Sequence, residues 1–300
     1  CQTFGIRKAN GCYPASLKDT LAQKDQFPQE EIFGKACTEE IEELDQRVSG
    51  KEVFRMEYLN FEYLENTPVL KDLNLLLDGR STAVIGQNGA GKTTLVKLLK
   101  GLLKPVSGNV YYGGEDIAGK TVAMLAGEVG YVFQNPDDQI FKYHVIDEVM
   151  FGPLNIGMSA EEAKKHAVAA LTEVGLEKLV NENPYDLELS ERKLVAIASV
   201  LAMDTKVLIL DEPTIAQDWN IRNLRKQGKM VLSILHDMDF VAENFERVIV
   251  MAHGKVLADG TKEMIFAQSE VLNEARIDQP YLTRLCSMLG YEKLYFTLKE

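Results

Sequence analysis

The sequence predicts an α/β fold: a mostly parallel sheet with helices packed on its faces. Three observations predict it. Short apolar runs of strand character alternate along the chain with segments of helical periodicity, the order that builds a parallel sheet. A glycine-rich turn, Gly86-Gln-Asn-Gly-Ala-Gly-Lys-Thr-Thr94, stands between one such strand and the helix that follows. A later apolar run, Val207-Leu-Ile-Leu210, ends in two carboxylates, Asp211 and Glu212.

Taken in order, residues 1–50 carry no chemical motif. Pro28, Gly34 and the acidic stretch from Glu39 to Asp45 read as linker plus a short amphipathic helix that Thr38 can cap. Val53–Tyr63 and Val69–Leu77 are predicted strands, the second ending at the Asp78-Gly79 turn. Thr82–Ile85 is a short buried strand. Thr93–Leu103 carries Leu95, Leu98, Leu99 and Leu102 at helical spacing. Val129–Phe133 is a strand. Ser159-Ala-Glu-Glu162 is a capping box opening a helix through Val174, stopped by Gly175. Leu194–Met203 reads as a buried helix. Lys206–Leu210, Lys229–Leu235 and Arg247–Met251 read as strands, and Thr261 caps a helical tail.

The chain has 300 residues, with 46% hydrophobic, 26% charged and a net charge of −12. The acidic balance argues against a nucleic-acid partner or an anionic membrane surface. Cys1, Cys12, Cys37 and Cys286 form no CxxC pair, which reads as free thiols in a reducing compartment. No apolar run approaches the roughly 20 residues that span a bilayer, and no basic-then-apolar leader opens the chain. The expected location is the cytosol or the cytoplasmic face of the membrane, held there by partners.

The turn at 86–94 fits GxxxxGK[ST], and it follows a strand and opens a helix, the context that motif requires. Its glycines let backbone N–H groups converge, and the positive helix end adds to the attraction for phosphates. Lys92 would reach the β- and γ-phosphates and the Thr93 hydroxyl would ligate Mg²⁺. Asp211, at the carboxyl edge of its strand, would hold Mg²⁺ directly or through water. Glu212 is set to polarise an attacking water as general base.

With both motifs, the chain resembles ATP-binding-cassette (ABC) ATPases over roughly residues 53–266. The resemblance implies ATP and Mg²⁺ as ligands, with the loop residues Gly86, Gln87, Asn88, Gly89, Ala90, Gly91, Lys92, Thr93 and Thr94 at the nucleotide. It implies that Gln134 is the Q-loop glutamine contacting Mg²⁺ and water, that Tyr63 stacks on adenine, and that His236 is the switch histidine at the γ-phosphate. Asp218 matches the aspartate at the dimer seam. His144, His166 and His253 match nothing and read as structural or exposed.

Within the family, Gln134-Asn-Pro-Asp-Asp-Gln-Ile-Phe141 and the tail from Val271 to Leu285 resemble the energising subunits of energy-coupling-factor (ECF) importers of vitamins and metal ions. There two ATPases bind a membrane scaffold protein and a small substrate-binding membrane protein. The stretch Phe141–Gly157 would form the groove for the scaffold's helices, although Phe141, Val145, Val149, Met150 and Phe151 also suit a core. The resemblance implies a P-loop NTPase of the ABC ATPase type. Residues 1–50 form an extension, and Phe4-Gly-Ile-Arg-Lys8 within them resembles the end of a preceding ATPase domain. Residues 51–266 form the ATPase, with an antiparallel β edge and a helical subdomain near 141–195, and residues 267–300 form a C-terminal helical extension. The alternatives are a soluble ABC ATPase acting on ribosome or DNA, and a regulatory subunit that binds ATP without hydrolysing it.

Two features depart from the family. Where Leu-Ser-Gly-Gly-Gln is usual, this chain reads Leu187-Glu-Leu-Ser-Glu191, without either glycine. Ser190 can still cap the helix, but Glu188 and Glu191 bring negative charge toward a partner's phosphate. That predicts an asymmetric pair with one competent and one weak site, as a heterodimer or a tandem fusion. The crossover from Asp218 to His236 is also short: residues 219–228 must hold a connection that takes about 10–12 residues. Either its helix is about one turn, or residues are missing between Trp219 and Ile221, the reading the family's usual length favours.

Overall fold

A computed structural model describes residues 49–213, 221–289 and 296. The first two strands are long and alternate, β1 (Glu52–Glu62) and β2 (Pro68–Asp78), with Phe54, Met56 and Leu59 buried from one and Leu73, Leu75 and Leu77 from the other. With β4 (Ser107–Tyr112) and β5 (Glu115–Asp116) they make a four-stranded antiparallel sheet in the order β2-β1-β4-β5. β4 and β5 were not expected. Ser107-Gly-Asn-Val-Tyr-Tyr buries little beyond Val110, so its apolar signal is thin, and it is a strand because it pairs with β1.

The second sheet has six strands: β3 (Thr82–Ile85), β6 (Val129–Val132), β7 (Val207–Asp211), β8 (Met230–Ile234), β9 (Arg247–Ala252) and β10 (Lys255–Thr261). The order is β10-β9-β3-β8-β7-β6, parallel except for β10. β3, β6, β7, β8 and β9 are buried on both faces, which is why they read as unbroken apolar runs. β10 is the antiparallel edge strand, half-exposed along its length, and its weaker pattern escaped the sequence reading.

α1 (Lys92–Leu99) leads from β3 and packs between the two sheets with Leu95, Val96, Leu98 and Leu99 buried. It is shorter than expected because Gly101, at φ 73°, turns the chain into a Schellman stop: Gly101 N donates to Leu98 O at 3.0 Å and Leu102 N to Lys97 O at 2.9 Å. Leu102 therefore lies past the helix. α2 (Val122–Ala126) precedes β6.

On the other face of the large sheet lie α3 (Val145–Asn155), α4 (Ala160–Glu173) and α5 (Leu189–Leu201). The Ser159 capping box on α4 is formed, and Gly175 follows its end at φ 76°. Buried Glu148 accepts from the backbone N–H of Phe141 and Lys142 at 3.0 and 2.9 Å, which fastens the chain entering α3. α5 begins five residues before the expected Leu194. Its N-cap is Glu188, whose backbone N–H donates to Glu191 at 3.0 Å, so Ser190 sits inside the first turn instead of capping it. A capping box between Glu188 and Glu191 opens the helix without a hydroxyl and places 188–191 at the head of α5.

Of the crossover between β7 and β8, the structure describes α6 (Ile221–Lys226), a helix of six residues that packs on β8. The residues on which the two readings of this crossover differ, and Asp218 with them, lie outside the described residues. α7 (Met238–Asn244), α8 (Lys262–Phe266, capped by Thr261), α9 (Ser269–Glu274) and α10 (Tyr281–Leu289) complete the chain. Arg247 at the start of β9 ties the sheets together: it pairs with Asp259 of β10 at 2.7 Å and Asp78 of β2 at 3.2 Å, and donates to Leu76 O at 2.6 Å. Cys286 is a buried free thiol; the other cysteines lie outside the described residues.

Candidate functional site

β3 delivers the chain to Ile85, and residues 86–91 turn it into α1. Two of the glycines are required by space. A Cβ on Gly86 would lie 2.2 Å from the Met251 carbonyl oxygen, and one on Gly91 (φ 99°) would lie 2.7 Å from Leu70. Gln87 is half-buried, Asn88 and Gly89 are exposed, and buried Ala90 donates its N–H to Gln87 O at 3.1 Å, closing the turn. The first N–H groups of α1 have no partner within the helix, so the loop can take an anion.

Lys92 is buried under this loop, and Nζ donates to Gly86 O at 2.7 Å and Gln87 O at 3.0 Å. Burial pushes its pKa down, while the charges of Glu212 and Asp211 oppose that shift. Thr94 is buried, and its hydroxyl is 3.2 Å from that of Tyr63. Tyr63 is 56% exposed and its ring stands edge-on to Phe61 at 4.9 Å, which leaves ring surface open to solvent.

β7 brings Asp211 and Glu212 to the same edge. Asp211 is buried; its Oδ1 accepts from the Thr93 hydroxyl at 3.2 Å and its Oδ2 from the Tyr131 hydroxyl at 2.8 Å. Burial raises the Asp211 pKa, and those two hydrogen bonds pull it back down. Glu212 lies one residue past the strand at φ 50°, the left-handed region that non-glycine residues enter at a cost of about 1–3 kcal/mol. That turn swings its carboxylate between two loops: Gln134 Nε2 donates to Oε2 at 2.6 Å, and His236 Nε2 lies 2.7 Å from Oε1. A carboxylate can only accept, so the ring proton is on Nε2. His236 sits just past β8 and Gln134 just past β6, so three parallel strands present the group at their carboxyl ends.

Of the residues singled out in the sequence, the loop, Lys92, Thr93, Thr94, Tyr63, Gln134, Asp211, Glu212 and His236 are therefore neighbours. Leu187–Glu191 stand apart at the head of α5, with Glu188, Leu189 and Ser190 exposed. Tyr131 was missed; a lone hydroxyl in an otherwise apolar buried strand was the available signal. Gln139 was missed too: it accepts from Phe133 N at 3.1 Å and donates to Ala196 O and Ser199 Oγ at 2.8 and 2.9 Å, linking the Gln134 loop to α5. The stretch 141–157 divides between the two readings. Val145 and Val149 are core, while Phe141 and Phe151 are exposed on a groove of about 250 Å³ that Ala123, Ile156 and Met203 also line. His144 and His253 are exposed; His144 Nδ1 is 3.0 Å from Asn181 O.

An anion-binding turn, a buried ammonium and a carboxylate positioned beside them can hold a nucleoside triphosphate and direct water at its terminal phosphate. That capacity defines the P-loop class of nucleotide-binding domains. A family model described as ABC transporter matches residues 70–215. The energy-coupling factor transporter ATP-binding protein EcfA of Methanosphaera stadtmanae is 37% identical over 245 residues, which are 78% of this chain and 88% of that protein. Among solved structures, CbiO1 of Clostridium perfringens, part of the ABC transporter complex CbiONQ, matches at a TM-score of 0.64 with 34% identity, over 74% of this chain and 94% of that one. A dimeric ATP-binding cassette in a post-hydrolysis state bound to ADP and phosphate matches at a TM-score of 0.63 with 25% identity, over 69% and 98% of the two chains. The chain belongs to the ABC transporter ATP-binding proteins, a family of ATP-hydrolysing cassettes that pair with one another and work with membrane components.

Proposed function

We propose that this chain powers import of a vitamin or metal ion as one ATPase of an ECF-type transporter, at the cytoplasmic face of the membrane. The observation that carries the catalytic part is the Glu212 carboxylate, held by Gln134 and His236 beside the loop that contains Lys92. In this reading Glu212 polarises the attacking water and His236 contacts the γ-phosphate. Lys92 leaves its two loop carbonyls to reach the phosphates, and Tyr63 stacks its open face on adenine. Likeness to EcfA and CbiO1 supports the ECF assignment.

Mg²⁺ fits Thr93 and Asp211: a hydroxyl and a carboxylate at 3.2 Å are hard oxygen donors. Among the described residues no cluster of three metal-binding side chains exists, as suits an ion that takes few protein ligands and completes its shell with phosphate and water. When bound, the ion neutralises charge on the phosphates. Gln134 is the third residue assigned to it.

Residues 51–266 are assigned to the ATPase unit and 267–300 to an accessory extension, helical over Ser269–Glu274 and Tyr281–Leu289. The partners are a second ABC cassette, a membrane scaffold and a substrate-binding membrane protein, with no nucleic acid. The groove beside Phe141 and Phe151 receives the scaffold. Asp218 and Leu187–Glu191 face the second cassette. Two glutamates at the head of α5 weaken the γ-phosphate contact that segment makes with the partner's nucleotide, so the pair is asymmetric. Mass spectrometry of proteins co-purifying with the chain from detergent-solubilised membranes tests the assembly. A polytopic scaffold, a small membrane binder and a second ATPase are expected. Recovery of soluble partners alone, such as ribosomal proteins, overturns the transport reading. Replacing Glu212 here and its counterpart in the partner tests the asymmetry, which equal losses of turnover would sink.

A further inference from the structure

We propose that Tyr131 is a positioning residue that fixes the Asp211 carboxylate for its metal ion. The proposal rests on the reading of Asp211 and Thr93 as Mg²⁺ ligands. A carboxylate held at one oxygen can turn about its last bond, so presenting one oxygen in a defined direction takes a second fastening. Here the two oxygens are divided. Oδ1 takes the Thr93 hydroxyl at 3.2 Å, and Oδ2 takes the Tyr131 hydroxyl at 2.8 Å. The phenol has one proton and the carboxylate only accepts, so Tyr131 is the donor. Tyr131 is 5% exposed and lies on β6, whose register pairs it with Ile209 of β7; its hydroxyl reaches along that strand to the terminal Asp211. Phe133 packs against the ring at 4.7 Å and limits its movement.

The hydroxyl therefore occupies Oδ2 and leaves Oδ1 beside the Thr93 hydroxyl, the pair that would hold the ion. Outer partners of this kind set the orientation of a ligand, and losing one typically weakens metal affinity roughly 10–100-fold. The Tyr131 hydroxyl donates to Asp211 and not to the anion-binding turn, so the proposal expects nucleotide binding without metal to survive its loss.

The test is calorimetric titration of the full chain with ADP, first in EDTA and then across a Mg²⁺ series, for wild type and Tyr131→Phe. The expected result is equal ADP affinity in EDTA and a Mg²⁺ midpoint moved up by roughly tenfold or more in the variant. An unmoved midpoint overturns the proposal. So does an equal loss of ADP affinity in EDTA, which would place the hydroxyl's effect on the loop. Tyr131→Met, which also lacks a donor, must reproduce the shift and serves if the phenylalanine variant does not fold. A wild type whose ADP affinity ignores Mg²⁺ overturns the metal reading of Asp211 itself, together with this role.

Discussion

Lys100 follows α1 and is 6% exposed, with its ammonium donating to Val129 O at the start of β6. Among the described residues no carboxylate pairs with it, and burial lowers its pKa from 10.5 to about 8. A protonated lysine in the unfolded chain must therefore either give up its proton or carry a charge into the interior. The folded pKa lies below the unfolded one, so the unfolded chain binds more protons between the two values and stability rises with pH through that window. Below about pH 8 the penalty is fully present, at about 3 kcal/mol. Raising the pH from 7 to 9.5 recovers about 2 kcal/mol of it. Lys100→Met keeps the packed stem and removes the charge. The prediction is that urea unfolding finds the variant more stable than wild type at pH 7, and that the gap narrows by about 2 kcal/mol at pH 9.5. A gap that stays constant with pH, or widens, would refute the reasoning. A variant less stable at both values would mean that the bond to Val129 outweighs the buried charge.

Two further predictions follow from the loop's surroundings. Gly254 holds φ 78°, and a Cβ there would lie 2.2 Å from the Val69 carbonyl oxygen, so Gly254→Ala is expected to destabilise the fold by about 2–4 kcal/mol in urea unfolding and to loosen β2 from the nucleotide loop. Tyr63→Ala is expected to weaken ATP binding by about 1–3 kcal/mol by calorimetry, and Tyr63→Phe to retain most of the affinity because the open ring face remains; equal losses in both variants would assign the effect to the Thr94 contact instead.

What was legible in the sequence was local. The turn at 86–94 announces itself because glycine spacing, lysine and threonine must be contiguous for backbone N–H groups to converge. Asp211 and Glu212 are legible because a doubly buried strand has an unbroken apolar pattern and ends abruptly in charge. The pairings of Glu212 with Gln134 and His236 span 78 and 24 residues, so no local pattern states them; resemblance to the family singled out the residues, and the parallel order of β6, β7 and β8 brings them together. β4 and β10 escaped because half-exposed strands owe their structure to a neighbour more than to their own side chains. The early start of α5 escaped because glutamate at an N-cap is outside the usual hydroxyl and amide preference. Leu102 extended the helical period past Gly101, where a left-handed residue had already ended the helix.

In the proposed mechanism Glu212 activates the water that attacks ATP bound by this chain. That role is tested most directly by phosphate release from the intact membrane complex at saturating ATP, wild type against Glu212→Gln. A fall of about 10²–10⁴-fold with ATP binding retained is expected, because the amide keeps the shape between Gln134 and His236 but cannot take a proton from water. Release within a few-fold of wild type would contradict that role.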